Sequence, residues 1–488
     1  MSSAPSMTTT QKQLLAVVMV PMFMSLLAVS SINVVLPSLS TTLDATTSQI
    51  QWVLSGYTLA FGITLVAGGR AGDIYGRGKL FVAGVSLFGV GSLLSALAPT
   101  GLVLDAARVL TGIGSGLLNP QTMGFIQQYF RGQQRARAFA ISGSLISVSV
   151  AIGPVLGGTL ISLAGPEWGW RWTFLVNVPI AIFAVIFARW WFPASAWQRP
   201  GSTADVAPRA HPDLDPVGMI TLAVAVLLIM LAFIELTEGW WVVLILVAGL
   251  LAFIGWLGWE HHYRRAGHDP MVNLDLFRIR GYRNGALLIG LYFTGSTSIF
   301  VSVAMYLQAG MDFSALAASL IGLPSALIGA FSAQLGGKLV LNVGRKLVAI
   351  GMGIVMVSMA LTAGVVAGHL VWGLSPWWMM LALTISGMGQ GLVVSPNQTL
   401  TLMDVPVQNS GAAAGVMQTG QRIGTAMGTA LITTILFELS SAANWDVAFM
   451  TALAVIVFCM AGASMVALLD HRRALQERAP AHDSPSPR

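Results

Sequence analysis

Charged residues are scarce in this chain: Asp, Glu, Lys and Arg together make up 9% of its 488 residues. Soluble domains carry about 25% charged residues, so this composition excludes a soluble globular protein. Cysteine is almost absent as well. Because the single one, Cys459, lies within an apolar run, disulfides contribute nothing to the fold.

The sequence motifs of common enzyme classes are also missing. The chain contains no Gly-x-x-x-x-Gly-Lys-Ser/Thr loop for nucleotide phosphates and no Gly-x-Ser-x-Gly turn for a nucleophilic serine. Its seven histidines follow no metal-ligand spacing, and His261, His262 and His268 belong to a basic loop. We therefore expect no enzyme activity, no cofactor and no metal site.

Long apolar stretches dominate the sequence instead. Hydrophobic residues make up 55% of the chain, and its mean hydropathy is +0.75. A helix needs roughly 20 apolar residues to cross a hydrocarbon core, and continuous runs of that length differ from the short alternating strands of a barrel. We predict an all-α multi-pass membrane protein with fourteen transmembrane helices. The predicted spans are 14–37, 49–68, 80–98, 101–122, 138–160, 171–191, 216–236, 240–258, 282–307, 315–336, 347–368, 376–397, 411–436 and 446–469.

The basic residues lie on one side of these predicted spans. With the N-terminus in the cytoplasm, all 25 Lys and Arg except Arg108, Arg171 and Arg422 fall in cytoplasmic segments or at cytoplasmic span ends. This is the positive-inside distribution of membrane proteins. It accounts for the net charge of +6 and the pI near 9.8 without a nucleic-acid partner. We expect both termini in the cytoplasm.

The spans form two sets of six, with two additional helices between them. In order, we predict a cytoplasmic tail (1–12), an N-terminal six-helix bundle (13–192), a cytoplasmic linker (193–215), two additional transmembrane helices (216–258), a cytoplasmic loop (259–281), a C-terminal six-helix bundle (282–470) and a cytoplasmic tail (471–488).

A short motif recurs at equivalent places in the two sets. "GRAGDIYGR" (69–77) joins the second predicted span to the third, and "GKLVLNVGR" (337–345) occupies the same place in the second set. The shared positions are Gly69 and Gly337, Arg70 and Lys338, Gly76 and Gly344, and Arg77 and Arg345. This pattern indicates a parallel duplication. In the first copy Asp73 can pair with Arg70 or Arg77, or with the positive start of a neighbouring helix, whereas Leu341 replaces the acid in the second.

Several motifs in chain order resemble the major facilitator superfamily, in its fourteen-helix drug/proton antiporter branch. The second span and its following loop (51–80), "RVLTGIGSG" (108–116), "GPVLGG" (153–158), "WRWTFLVNVP" (170–179) and "QTGQRIGTAMG" (418–428) are similar to motifs of that branch. The resemblance covers nearly the whole chain. It implies a bacterial inner-membrane protein that moves small amphipathic or lipid-like molecules by alternating access, and we expect it to act as a monomer.

The resemblance assigns expected roles to several groups of residues. A gating loop would contain Gly69, Arg70, Gly72, Asp73, Gly76 and Arg77, and the antiporter motif Gly153, Pro154, Gly157 and Gly158. Arg108 would be a cavity residue linked to proton movement, with a local ion pair to Asp105 as the alternative. Arg422 lies about eleven residues into its span, roughly 16 Å deep, and an inward-facing role is expected for it.

Polar side chains on the spans that would line a central cavity form a further set of candidates. They are Asn33, Tyr57, Tyr292, Thr294, Thr297, Tyr306, Gln308, Gln390 and Asn397. Hydroxyl groups in apolar helices often bond to their own backbone instead, and that alternative stays open for the Thr residues.

The first span lacks the acid that this antiporter branch carries there. It reads "LAVSSINVVLP" (27–37), with Ala28 at the acidic position. An alanine cannot bind a proton, so either Asp105 has taken that role, or proton coupling is weak or absent, or another acid serves. We expect an exporter of drug-like compounds. Export or facilitated movement of an endogenous lipid or metabolite is the close alternative, and a non-transporting receptor or assembly factor is the alternative of another class.

Overall fold

The structure is a computed structural model that describes residues 7–199, 213–235 and 239–478. Over these residues the chain is helical, with short connections. The helices are α1 (Thr9–Ser30), α2 (Ile32–Thr42), α3 (Thr47–Tyr75), α4 (Arg77–Ala96), α5 (Gly101–Tyr129), α6 (Gly132–Leu175), α7 (Asn177–Trp191), α8 (Pro216–Ile234), α9 (Trp241–Arg265), α10 (Arg280–Met305), α11 (Ala315–Val343), α12 (Arg345–Trp372), α13 (Met379–Gly391), α14 (Val394–Leu402), α15 (Ser410–Ala442) and α16 (Trp445–Arg478). Most of the predicted linker and C-terminal tail lies outside the described residues.

Local sequence explains where several helices begin. Thr8 and Gln11 form a reciprocal capping box at the start of α1, and Thr46 and Gln49 form another at the start of α3. In each box the hydroxyl accepts from the N3 backbone N–H and the glutamine oxygen accepts from the N-cap N–H, so two otherwise unpaired donors are satisfied.

Thirteen helical stretches of the described chain are long and apolar enough to cross a membrane. One of them, Gly132–Trp191, has 60 residues, which at 1.5 Å per residue would reach about 90 Å if it were straight. Gly165 interrupts it with a left-handed φ of 75°, and Pro166 follows. The all-helical multi-pass fold is therefore confirmed, whereas the number fourteen stays a prediction.

The helices of each set pack mainly with one another, in matching pairs. In the first set α5 packs against α3 and α4, and α6 packs against α1; in the second set α13 packs against α11 and α12, and α15 packs against α10. Contacts between the sets are made chiefly by α3 with α15 and by α6 with α11. We call the two sets the N-terminal and C-terminal halves. We call the end of the bundle that carries Arg70, Arg77 and Arg345 the basic end.

The two additional helices lie against the seam between the halves. α8 packs on α3 of one half and on α15 of the other, while α9 packs against α8. Leu59 and Val66 of α3 share an apolar cluster with Leu222, Val226 and Met230 of α8. α8 therefore contacts both halves.

Candidate functional site

The predicted gating loop is a buried contact between the two halves. Asp73, near the end of α3, accepts hydrogen bonds from the backbone N–H groups of Gly411 at 3.1 Å and Ala412 at 2.9 Å. Both groups lie in the first turn of α15, where unpaired N–H groups and the helix dipole favour an anion. The Asp73 carboxylate of one half thus lies at the N-terminus of a helix from the other half.

Arg77, the first residue of α4, completes this contact. It donates to Asp73 Oδ1 at 2.8 Å, to the Val407 carbonyl at 2.6 Å and to Ser410 Oγ at 2.8 Å. Its other nitrogen donates to the Gly124 carbonyl at 2.7 Å. The Arg77 side chain is fully buried, so its charge is compensated by these bonds to both halves rather than by water.

Glycines allow the backbones of the two halves to meet at this contact. A Cβ atom at Gly69 would collide with the Gly411 carbonyl, and one at Gly411 would lie 2.8 Å from Asp73 Oδ1. A Cβ at Gly72 would collide with the Gln121 amide. Gly76 has a φ of 102° where α3 turns into α4, a conformation that favours glycine.

Arg70, the other cation that could pair with Asp73, bonds to backbone carbonyls instead. It donates to the backbone carbonyls of Asp213 at 3.2 Å and Asp269 at 3.4 Å. These residues lie just before α8 and just after α9. Arg70 therefore ties α3 to the additional helices, whereas Arg77 forms the hydrogen-bonded ion pair with Asp73.

The second copy of the motif makes contacts within its own half. Arg345 donates to Asp470 Oδ2 at 3.0 Å and to Asn397 Oδ1. Gly344 has a φ of 64°, and Lys338 is exposed. A Cβ at Gly337 would lie 2.9 Å from the Ala136 carbonyl of α6, and Val340 shares an apolar cluster with Ala136, so the second copy meets the N-terminal half through small and apolar residues.

Further contacts between the halves were not predicted. Gln127 donates to the Leu402 carbonyl, and to that of Val405 at 3.3 Å. Arg135 donates to the Met403 carbonyl at 3.4 Å. No local sequence signal identifies Gln127. Arg135, however, belongs to the basic run that follows the fourth predicted span, and this run is apparent in the sequence. Its side chain is buried.

The antiporter motif packs against the break between α1 and α2. A Cβ at Gly153 would collide with Ser30 Oγ, and one at Gly157 would lie 3.1 Å from the Ser31 carbonyl. Gly158 has only Val34 near it, at 3.8 Å, and Pro154 is half-buried on the same helix. Small residues let the two helices approach closely here.

Arg108 is buried in the N-terminal half without a carboxylate partner. Its Nε donates to the Val53 carbonyl at 3.1 Å, and its guanidinium carbon lies 4.3 Å from the centre of the Tyr57 ring. Its Nη1 is buried with no hydrogen-bond partner. Asp105 forms no ion pair with it, and the buried Oδ1 of Asp105 also lacks a partner. The local ion pair between Arg108 and Asp105, the alternative that the sequence left open, is therefore not formed.

Arg422 approaches the same region from the C-terminal half. Its guanidinium carbon lies 4.2 Å from the centre of the Phe61 ring, one turn along α3 from Tyr57. The Tyr57 hydroxyl donates to the Ser25 carbonyl at 3.0 Å and lies 2.7 Å from Ser115 Oγ, so its ring rather than its hydroxyl is available on this side.

The other predicted cavity residues are distributed over several environments. Thr294 and Thr297 donate to carbonyls of their own helix. Tyr306 donates to Asp446 at 2.6 Å and stacks on Phe449. Asn397 joins Arg345 at the basic end, Gln390 donates to Ser386, Gln308 is exposed and Tyr292 is buried. The Asn33 side chain lies outside the described part of the structure.

A helical bundle of two repeated halves that meet in a buried charged contact is the architecture of a secondary transporter. The family model of the Major Facilitator Superfamily matches residues 18–429 and again 286–487. The chain belongs to this superfamily, as its motifs predicted.

Curated relatives cover most of the chain. It is 32% identical to a probable actinorhodin transporter of Streptomyces coelicolor, over 87% of this chain and 72% of the relative. It is 29% identical to puromycin resistance protein pur8 of Streptomyces alboniger, over 86% and 81%. It is 28% identical to multidrug resistance protein Stp of Mycobacterium tuberculosis, over 86% and 75%.

Solved structures agree on the fold. The human organic anion transporter MFSD10 superposes with a TM-score of 0.65 at 13% identity, covering 93% of this chain and 99% of that one. The proton:xylose symporter XylE superposes with a TM-score of 0.63 at 16% identity, covering 94% and 95%. At these identities the similarity concerns the fold alone.

Proposed function

We propose that this protein exports amphipathic or lipophilic, drug-like compounds from a bacterial cell by alternating access. The observation that carries the proposal is the gate at the basic end. There Asp73 and Arg77 of the N-terminal half hold the start of α15 through hydrogen bonds that must break when the halves separate.

The relatives support drug-like compounds as the substrate class. Those named above are described as an actinorhodin transporter, a puromycin resistance protein and a multidrug resistance protein. Each aligns over more than four fifths of this chain, so the similarity includes both halves and the gate between them.

The distribution of basic residues supports an orientation for this cycle. Placing the basic end in the cytoplasm satisfies the positive-inside rule and puts both termini there. The gate then closes the cytoplasmic side, and substrate leaves towards the outside. We place residues 13–192 and 282–470 in the two moving halves.

Substrate flux is the direct test. Purified protein in proteoliposomes should move labelled drug-like compounds above the level of empty liposomes, and deletion of the gene should increase drug sensitivity of the host. If the deletion strain keeps its drug resistance but its membrane lipid composition changes, an endogenous lipid is the substrate. If no compound moves, transport itself is refuted.

A further inference from the structure

Two arginines, one from each half, lie beside neighbouring rings of α3 without acidic partners. Arg108 of α5 is 1% exposed, and Arg422 lies about 18 Å from the start of α15 at 1.5 Å per residue. Among the described residues, neither guanidinium has a carboxylate within salt-bridge distance. An arginine stays charged even when buried, so this region carries uncompensated positive charge.

Carboxylates compensate the buried arginines of the two motif copies, Arg77 and Arg345, whereas Arg70 and Arg135 at the basic end bond to backbone carbonyls. Arg77 bonds to Asp73, and Arg345 bonds to Asp470. Arg108 instead has one bond to a backbone carbonyl and a buried Nη1 with no partner. Unpaired ions inside a bilayer are costly and usually functional, so the missing counter-charge points to a ligand.

Aromatic rings accompany both guanidinium groups. Tyr57 and Phe61 are neighbours on α3, with ring centres 5.8 Å apart, and each lies under one of the two arginines. Phe174 lies 5.6 Å from the guanidinium carbon of Arg108. Such rings offer flat apolar surfaces for an aromatic body next to the charged groups.

We propose that the transported compounds are organic anions: aromatic amphiphiles with a carboxylate, sulfonate or phenolate group that binds between Arg108 and Arg422. Guanidinium groups bind such oxyanions through short, charge-assisted hydrogen bonds. A cationic amphiphile would face two like charges with no acid to receive it. Because one arginine comes from each half, the anion would contact both halves. This inference rests on the proposed export function and names its substrate class.

Two dyes that share a scaffold and differ in charge provide the test. Fluorescein is an anion at neutral pH, and rhodamine 123 is a cation on the same xanthene ring system. We expect downhill flux of fluorescein from proteoliposomes containing the full-length protein, and no flux of rhodamine 123 above empty liposomes. Flux of rhodamine 123 without flux of fluorescein would overturn the inference and leave the export function intact.

Variants assign the charge preference to these residues. Arg108→Gln and Arg422→Gln should each lower fluorescein flux about tenfold or more, the range expected for the loss of a hydrogen bond to a charged group. Arg422→Lys, which keeps the charge, should retain more flux than Arg422→Gln. Arg189→Gln is the matched control, because Arg189 is exposed and only faces the Trp197 ring. Unchanged flux in both Gln variants would refute the site.

Binding without transport separates this inference from the export function. If neither dye moves, thermal unfolding of the detergent-purified protein is measured with each dye. Stabilisation by fluorescein that disappears in Arg422→Gln would support the anion site while refuting export. Absence of stabilisation by fluorescein would overturn the anion site as well.

Discussion

Asp73 is held by three donors, and two of them are backbone N–H groups of the opposite half. The third is Arg77, at 2.8 Å. Both side chains are buried, so no water replaces a lost bond. Removing one partner of a buried ion pair lowers stability by about 3–5 kcal/mol. A change of this size is large enough to alter which access state predominates.

Asp73→Asn should therefore lower substrate flux about tenfold or more while the protein still folds and inserts. The amide removes the charge that compensates Arg77 and that faces the start of α15. Flux in proteoliposomes, normalised to protein that elutes as a single species, measures the effect.

Asp275→Asn is the matched control for this change. Asp275 lies in the loop after α9, and donation from Arg264 holds the pKa of its carboxyl below the ordinary value. That pair is on the surface, where ion pairs contribute little, so flux should stay near the wild-type level. Equal flux in Asp73→Asn and wild type would show that the gate contact is an ordinary turn.

The charged contact of Asp73 and Arg77 was largely predictable from the sequence, because charge among glycines between apolar spans is unusual. The pairing of Asp73 with a helix start needed only the sign of a helix dipole. Whether Asn397 and Tyr306 line a cavity or make contacts between helices could not be predicted from the sequence. An asparagine or tyrosine on an apolar helix fits either a cavity or a helix contact, and only the neighbouring Arg345 and Asp446 distinguish the two.

At the scale of elements, the additional pair α8 and α9 is attached unequally to the two halves. Polar bonds attach it to the N-terminal half, since Arg70 of α3 donates to the Asp213 and Asp269 carbonyls. Its contact with α15 is apolar and includes Val416 and Ile423. An apolar contact can slide more easily than a set of directed hydrogen bonds, so we expect the pair to move with α3.

Cross-linking tests this expectation. In a Cys459→Ser background, Gly62→Cys with Met230→Cys joins α3 to α8 at a point where a Cβ on Gly62 would lie 2.7 Å from the Met230 sulfur. A short bifunctional thiol reagent should leave flux within about twofold of the untreated protein, because joined elements that move together as one rigid body lose no motion.

Met123→Cys with Gln418→Cys is the contrasting variant. These side chains meet across the seam, with Gln418 Nε2 3.3 Å from the Met123 sulfur. The same reagent should abolish flux there, since it joins the halves. Loss of flux in the α3–α8 pair as well would show that the additional helices slide on α3.

Helix boundaries show the same division between what sequence predicts and what it does not. Apolar length and hydropathy were sufficient for most spans. The run from α6 into α7 was harder, because Gly165 ends one helical stretch without leaving a polar loop. Within α6 the break is a single residue with a left-handed φ, and the sequence "AGPEWGW" (164–170) carries it without a charge run.

At the scale of the whole molecule, uphill export by the two halves requires an energy source. The first-span position where the antiporter branch carries an acid is Ala28, which is buried and cannot bind a proton. Of the buried acids, Asp73 and Asp470 are bonded to arginines. Asp215 begins α8, and Glu260 lies in the last turns of α9, where it accepts from the Val272 N–H. Asp105 is a half-buried acid of α5 that lies away from the basic end, and its Oδ1 has no partner.

We therefore expect export to depend only weakly on a pH gradient, and the remaining dependence to require Asp105. An anionic substrate would already respond to the membrane potential, since moving one charge across 100 mV is worth about 2.3 kcal/mol. Flux is measured against imposed pH gradients at clamped potential, in wild type and in Asp105→Asn. Glu235→Gln, at the far end of α8, is the control for removing a half-buried acid elsewhere. Strong pH-driven accumulation that survives Asp105→Asn would refute both weak coupling and Asp105, and would assign the proton to another group.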